Sequence, residues 1–249
     1  MSKGIWALLI TTFLCALIVT APSSILSPII KNASEGRVEL ANTEGTIWNG
    51  AANPVLHQHD GGLITLSKLH WKISTQTLFT GKLNTQVKWD DEPQTTPMDI
   101  IASLGKIEVH HAYFPLSAIL LGEASKFLKP AGLRGKVILR SDSLLISQQG
   151  LQGLATADWL NASSLLSSVS PLGNYHFTFS ASNGGVDITL NTVTGALILA
   201  GQGRFSASSG LNFKGTAQAT KEKEEELREL LNNMGPELRP GIKSFTLVP

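Results

Sequence analysis

A mainly β fold, of all-β or α+β class, is predicted for this chain behind a single apolar N-terminal helix. Apolar and polar residues alternate with a period of two in many short runs, which places each set on one face of a sheet. Glycines punctuate those runs at Gly61-Gly62, Gly81, Gly132, Gly135, Gly150, Gly153, Gly184-Gly185, Gly195, Gly201, Gly203, Gly210 and Gly215, as hairpin turns and bulges require. Charged residues make up only 16% of the 249, while Gly, Ser, Thr and the branched aliphatics are plentiful, a balance that favours strands over helix bundles.

From the N-terminus, Gly4 to Ala21 carries no charge and is rich in Leu, Ile, Val, Trp and Phe. As a helix it would be about 27 Å long, near the thickness of a bilayer core. Lys3 and the α-amino group flank one side, so the positive-inside rule keeps that end cytoplasmic and sends the rest outward. A cleaved signal peptide is the rival reading, because Val19 and Ala21 resemble a cleavage pattern. Pro22 would then stand at the first mature position, which disfavours it. The expected division is a cytoplasmic 1–3, a transmembrane helix 4–21, a membrane-proximal segment 22–34 carrying Pro28, and a periplasmic β-rich domain 35–249. Cys15 is the only cysteine and lies within the span, so no disulfide is available to the exported part.

Strands follow in order. Val38 and Leu40 alternate with Arg37 and Glu39. Leu69, Trp71 and Ile73 alternate with His70 and Lys72. Leu83, Thr85, Val87 and Trp89 form the next set. Further on come Tyr175, Phe177 and Phe179, then Val186, Ile188 and Leu190, then Leu211 and Phe213. Two or three short helices are expected. One spans Leu116 to Leu128 and a short one Leu160 to Ser168. The best runs from Lys221 to Met234, with Thr220 as N-cap, acidic first turns and Gly235-Pro236 as the stop. Its stripe of Leu227, Leu230, Leu231 and Met234 docks on the sheet or on a partner chain. About a dozen apolar strand faces against so few helices imply a sheet that buries itself, as a strongly curved partial barrel, sandwich or groove.

The sequence supports no catalytic constellation. His57 and His59 share a strand face beside Asp60, and His110-His111 lie elsewhere, too few convergent ligands for a metal. No serine sits in a nucleophile elbow. Asp90-Asp91-Glu92 and Glu222 through Glu226 read as solvated charge. Without Lys3, nineteen basic residues balance nineteen acidic ones, which gives no reason to expect nucleic acid. No metal, cofactor or enzymatic activity is expected.

Several segments, read in order, resemble the general secretion pathway protein N family of the type II secretion system. They are Gly45-Thr46-Ile47-Trp48-Asn49-Gly50-Ala51, Leu69-His70-Trp71 with Gly81-Lys82-Leu83, Leu133-Arg134-Gly135-Lys136-Val137, and Ala157-Asp158-Trp159. Pro171-Leu172-Gly173-Asn174-Tyr175, Gly195 through Gly201 and the terminal Leu230-Leu231 helix complete the order. Ile47 stands where the family usually has Leu. The resemblance implies no catalytic residues, with glycines serving turns and tryptophans serving packing. It implies an inner-membrane, non-catalytic component that supports export of folded proteins from the periplasm across the outer membrane. The other platform subunits would be its partners, and membrane lipid would surround residues 4–21. A more distant likeness to the AsmA-like group implies the alternative, lipid or hydrophobic-ligand handling in a sheet groove.

Overall fold

The computed structural model describes residues 3–58, 61–91, 96–120, 129–182 and 184–248. The chain forms two compact units, Met1–Leu104 and Gly105–Pro249.

The first unit opens with α1 (Lys3–Val19). It has no charge beyond Lys3 and no proline to interrupt it. The helix expected over 4–21 stops at Val19, because Pro22 disfavours helical backbone in the residue before it. Thr20 closes the last turn by donating both its amide and its hydroxyl to the Ala16 carbonyl, at 3.0 and 2.7 Å. Among the described residues, no helix is long and apolar enough to cross a membrane. A 3₁₀ turn at Ser23–Ile25 leads into α2 (Leu26–Ala33), an element not expected from the sequence. It is held to β1 (Val38–Gly45) by the Ser27 hydroxyl, 2.9 Å from the Leu40 carbonyl, and by the Lys31–Glu39 ion pair at 2.8 Å.

The strands β2 (Asn49–His57), β3 (Leu63–Thr65), β4 (Leu69–Ser74), β5 (Leu83–Trp89) and β6 (Met98–Ser103) complete the unit. Their order is β1-β2-β4-β5-β6, with β3 paired to the far end of β2 through His57 and Leu63. All pairs described are antiparallel. The alternation expected at Leu69–Ile73 is seen around buried Trp71, and that expected at Leu83–Trp89 is seen from Val87 to Trp89 but not at Leu83, which is exposed. Trp71, Val87 and Trp89 are buried with Leu40, Ala51, Ala52 and Met98.

In the second unit, β7 (Lys106–Ser117), β8 (Arg134–Ser147), β9 (Gly150–Ser163), β10 (Gly173–Ser182), β11 (Gly185–Gly195), β12 (Leu197–Ser206) and β13 (Gly210–Ala219) follow one another as an antiparallel meander. After α3 (Glu224–Met234), the path ends with β15 (Ile242–Leu247) on β13 and β14 (Glu237–Arg239) outside it. Among the described residues the path does not close. Cross-strand rows carry the core: Val137, Trp159 and Tyr175 stand opposite one another, and Leu139, Ala157, Phe177 and Leu190 form the next row. Phe213 joins them at the other side of the cluster. Bulges at Arg134/Lys136, Arg140/Ser143 and Gly173/Tyr175 interrupt the registers, and each bends its strand and increases its twist.

One expected helix is corrected, and another starts later than expected. Leu160 to Ser163 continue β9, because Ala162 pairs with Gly173 and its carbonyl accepts the Leu172 amide at 2.7 Å. Beyond them, the Ser164 hydroxyl donates to the Ala131 carbonyl and accepts the Leu166 amide, so a serine takes backbone partners that a helix would need. Leu116 and Ser117 belong to β7, with Leu116 opposite Val137. Ile119 and Leu120 are helical as expected, and the remainder of that helix, from 121 to 128, lies outside the described residues. The terminal helix starts later than expected, after a 3₁₀ turn at Lys221–Lys223, and the Thr220 side chain makes no capping bond. It is the Thr220 carbonyl that accepts the Lys223 amide, at 3.0 Å.

Candidate functional site

The Gly45–Gly50 hairpin is where the N-terminal helix is fastened to the sheet. Gly45 and Gly50 face each other across the β1–β2 turn, and Thr46 and Asn49 close it by mutual hydrogen bonds of 2.9 and 3.2 Å. The free groups of the turn then reach backward. The Trp48 indole N–H donates to the Ile18 carbonyl at 2.8 Å, the Ile47 amide donates to the Ala21 carbonyl at 3.0 Å, and Pro22 bridges to Thr46. The Ile18 carbonyl in the last helical turn and the Ala21 carbonyl just beyond it thus find donors on the turn. In this arrangement Trp48 secures the incoming chain and is not a core residue.

Trp71 completes the same corner from the next strand. Its indole N–H donates to the Ile47 carbonyl at 3.0 Å, and its ring lies over Gly50, where an added Cβ would come within 2.6 Å of it. The second unit repeats the device. Trp159 on β9 donates to the Arg134 carbonyl at 3.0 Å, and its ring lies over Gly135 on β8. Gly135 also has φ +119°, a backbone that other residues rarely adopt.

Leu172, Gly173, Tyr175 and Gly195 converge on another corner. Gly173 and Gly195 pair so closely that a Cβ on Gly195 would sit 2.2 Å from the Gly173 Cα. Tyr175 is 1% exposed, and its hydroxyl donates to the Leu197 carbonyl at 2.9 Å. Its ring packs on Trp159 with centroids 5.6 Å apart. Burial pushes the Tyr175 phenol well above its ordinary range, so it stays a neutral donor. Gly201 lies beneath the Phe213 ring, and Gly81 ends the 3₁₀ turn of Gln76–Thr80.

Leu227, Leu230 and Leu231 of α3 are buried against Val169, Leu172, Leu197 and Ala217, with Met234 half-buried at the margin. The stripe therefore packs on this chain's own sheet.

The tightest polar cluster was not singled out from the sequence. On the sheet face opposite Trp159 and Tyr175, Asp158 accepts from Arg140 at 2.6 Å and pairs with the His176 ring at 2.7 Å. Arg140 also lies over the Tyr113 ring, 5.7 Å from its centroid. The three residues occupy adjacent strands β8, β9 and β10, and cross-strand charge pairing is what the arrangement accomplishes. Among the described residues the His176 ring bonds only Asp158, so no nucleophile is engaged. The other histidines stand apart. His57 meets Glu39 at 3.2 Å, His70 meets Asp90 at 2.7 Å, and His59 and Asp60 lie outside the described residues, as does Glu92. Glu39 is held below the usual carboxylate range, first by Lys31 and then by His57. Among the described residues no three His, Cys, Asp or Glu side chains converge as a metal site would need.

The family model for the type II secretion system (T2SS), protein N, matches residues 36–246, a span that takes in both units and leaves out α1 and α2. No curated protein and no solved structure matches the chain.

Proposed function

We propose, from the premise that the chain belongs to the type II secretion system protein N family, that it is a non-catalytic scaffold of the secretion machine, anchored in the inner membrane by α1 with its β units in the periplasm. The family match over residues 36–246 carries the secretion assignment. Support for the anchor comes from α1 itself. Trp6, Leu9, Ile10, Phe13, Leu17, Ile18 and Val19 are all more than half exposed, and such a run of apolar side chains is costly in water. At 1.5 Å per residue its seventeen residues span about 26 Å. That is a few ångströms short of an average hydrocarbon core, a mismatch that local thinning or flanking residues take up. Lys3 at its start favours a cytoplasmic N-terminus.

A scaffold role suits a molecule whose distinctive residues are spent on corners, seats and pins. The contact with other secretion subunits is through α1 or through a sheet edge. The short end strand β14 offers the second route, because main-chain groups at an edge accept an added strand. Affinity isolation of the intact chain from native membranes, with identification of the captured proteins, tests the assignment. Recovery of other type II secretion subunits is the expected result. A chain that is expressed and membrane-bound yet brings down none of them overturns the scaffold reading. Release of the chain from membranes by alkaline carbonate overturns the anchor.

A further inference from the structure

The first unit carries an apolar rim at the end of the sheet where α1 arrives. The hairpin that holds α1 lies level with the end of β4, since the Ile73 amide donates to the Trp48 carbonyl at 2.7 Å. Beyond Ile73, β4 runs into the Gln76–Thr80 turn, whose tip is Leu78-Phe79. The chain returns at Leu83, opposite Ala102 of β6. Two residues after Ala102 comes Leu104, in the turn that follows β6. Both turns therefore project past the same end of the strands.

Their side chains are turned out. Phe79 is 95% exposed, Leu104 is 100% exposed, and Leu78 and Leu83 are partly so. Among the described residues of the unit, nothing covers Phe79 or Leu104. Segments 76–87 and 100–105 contain no acidic residue and one basic residue, Lys82. Turns that face water are normally polar, and two with phenylalanine and leucine at their tips, both past one end of the strands and beside an apolar helix, suit a less polar surrounding. An aromatic or leucine tip with a lysine beside it, at the foot of an apolar helix, has the chemistry of a lipid interface. There, apolar groups enter the acyl boundary and the ammonium stays among headgroups.

We infer that the Leu78-Phe79 and Leu104 turns dip into the bilayer surface beside α1, so that the first unit stands on the membrane by one end of its strands. This rests on the reading of α1 as the anchor and adds a second attachment to it. The helix fixes where the chain leaves the lipid, and the two turns fix how the sheet is oriented above it.

Site-directed fluorescence on the full chain tests the inference. In a Cys15→Ser background, single cysteines replace Phe79, Leu104, Phe13 on α1, or Leu63. Leu63 is an equally apolar residue, 62% exposed, on β3 at the opposite end of the strands. Each is labelled with an environment-sensitive dye and reconstituted in vesicles of phosphatidylethanolamine and phosphatidylglycerol. The expected result is a blue shift and quenching by doxyl lipid for the labels at 79, 104 and 13. The label at 63 stays open to aqueous iodide. If 79 and 104 behave like 63 while 13 remains in lipid, the rim inference falls and the anchor stands. If 13 also reports water, both fall. Equal doxyl quenching at 63 overturns the end-on orientation.

Discussion

At the residue scale, the most informative positions are those where one side chain satisfies a distant backbone group. Tyr175 does so while fully enclosed, and its hydroxyl is the partner of the Leu197 carbonyl. Tyr175→Phe should cost about 1–3 kcal/mol, read from urea unfolding, because it leaves a buried acceptor unmet. The pH dependence has a definite sign. Burial raises the folded phenol above its ordinary value of 10.0, so above that pH the unfolded chain loses its proton while the folded chain keeps it. Stability contributed by Tyr175 is therefore present below pH 10 and is lost as pH rises past it. A Tyr175→Phe chain should show a shallower alkaline decline than the parent. Gly135→Ala should be worse than a surface substitution, by about 1–3 kcal/mol. Its φ of +119° is strained for alanine, and the new Cβ would meet the Leu160 carbonyl at 2.6 Å. Tryptophan fluorescence should report the displaced Trp159 ring. The sequence marked these glycines and tryptophans but could not say which touched which. Trp48 and Ile18 are thirty residues apart, and nothing local to either announces their bond.

At the element scale, α3 gives the clearest measurement. Leu227 is fully buried and Leu230 nearly so, both in the cluster built on Leu197 and Ala217. Leu227→Ala and Leu230→Ala should each lower stability by about 2–5 kcal/mol, seen as an earlier urea midpoint with an unchanged slope. Substituting exposed Glu225 should leave the midpoint in place. This helix was legible because its leucines repeat at three- and four-residue spacing behind an acidic first turn. Strands such as β4 and β5 were legible for the matching reason at a period of two. The reading failed at short aliphatic runs. Leu160 was assigned to a helix on its apolar neighbours, whereas Ala162 was already committed to pairing with Gly173, a partner eleven residues away that periodicity does not reveal. Helix α2 was missed because a proline at position 28 in an eight-residue element looks like a breaker. It lies in the first turn, where its lack of an N–H costs nothing.

At the scale of the whole molecule, the chain comprises two units, each with its own buried residues. Four of the five tryptophans, at 6, 48, 71 and 89, belong to the first unit and Trp159 to the second. Fluorescence of a Trp159→Phe chain thus follows the first unit, while far-ultraviolet dichroism follows both. We expect the two unfolding curves not to coincide, and a single shared transition would refute independent stability of the units. The β class and the hairpin turns were readable from alternation and glycine spacing, because each local signal agreed with the global pattern. Division at Leu104 was not readable, since Leu104-Gly105 looks like any other hairpin turn. The meander has a consequence for biogenesis. Along most of it, each strand finds its partner in the strand just made, so a polypeptide delivered N-terminus first can zip up as it emerges, with little loop to close at each step. The late exception is the tail, where β15 must reach β13 past α3 and β14. Nascent chains halted before residue 242 should already resist protease over the earlier hairpins, while their last hairpin remains open to attack.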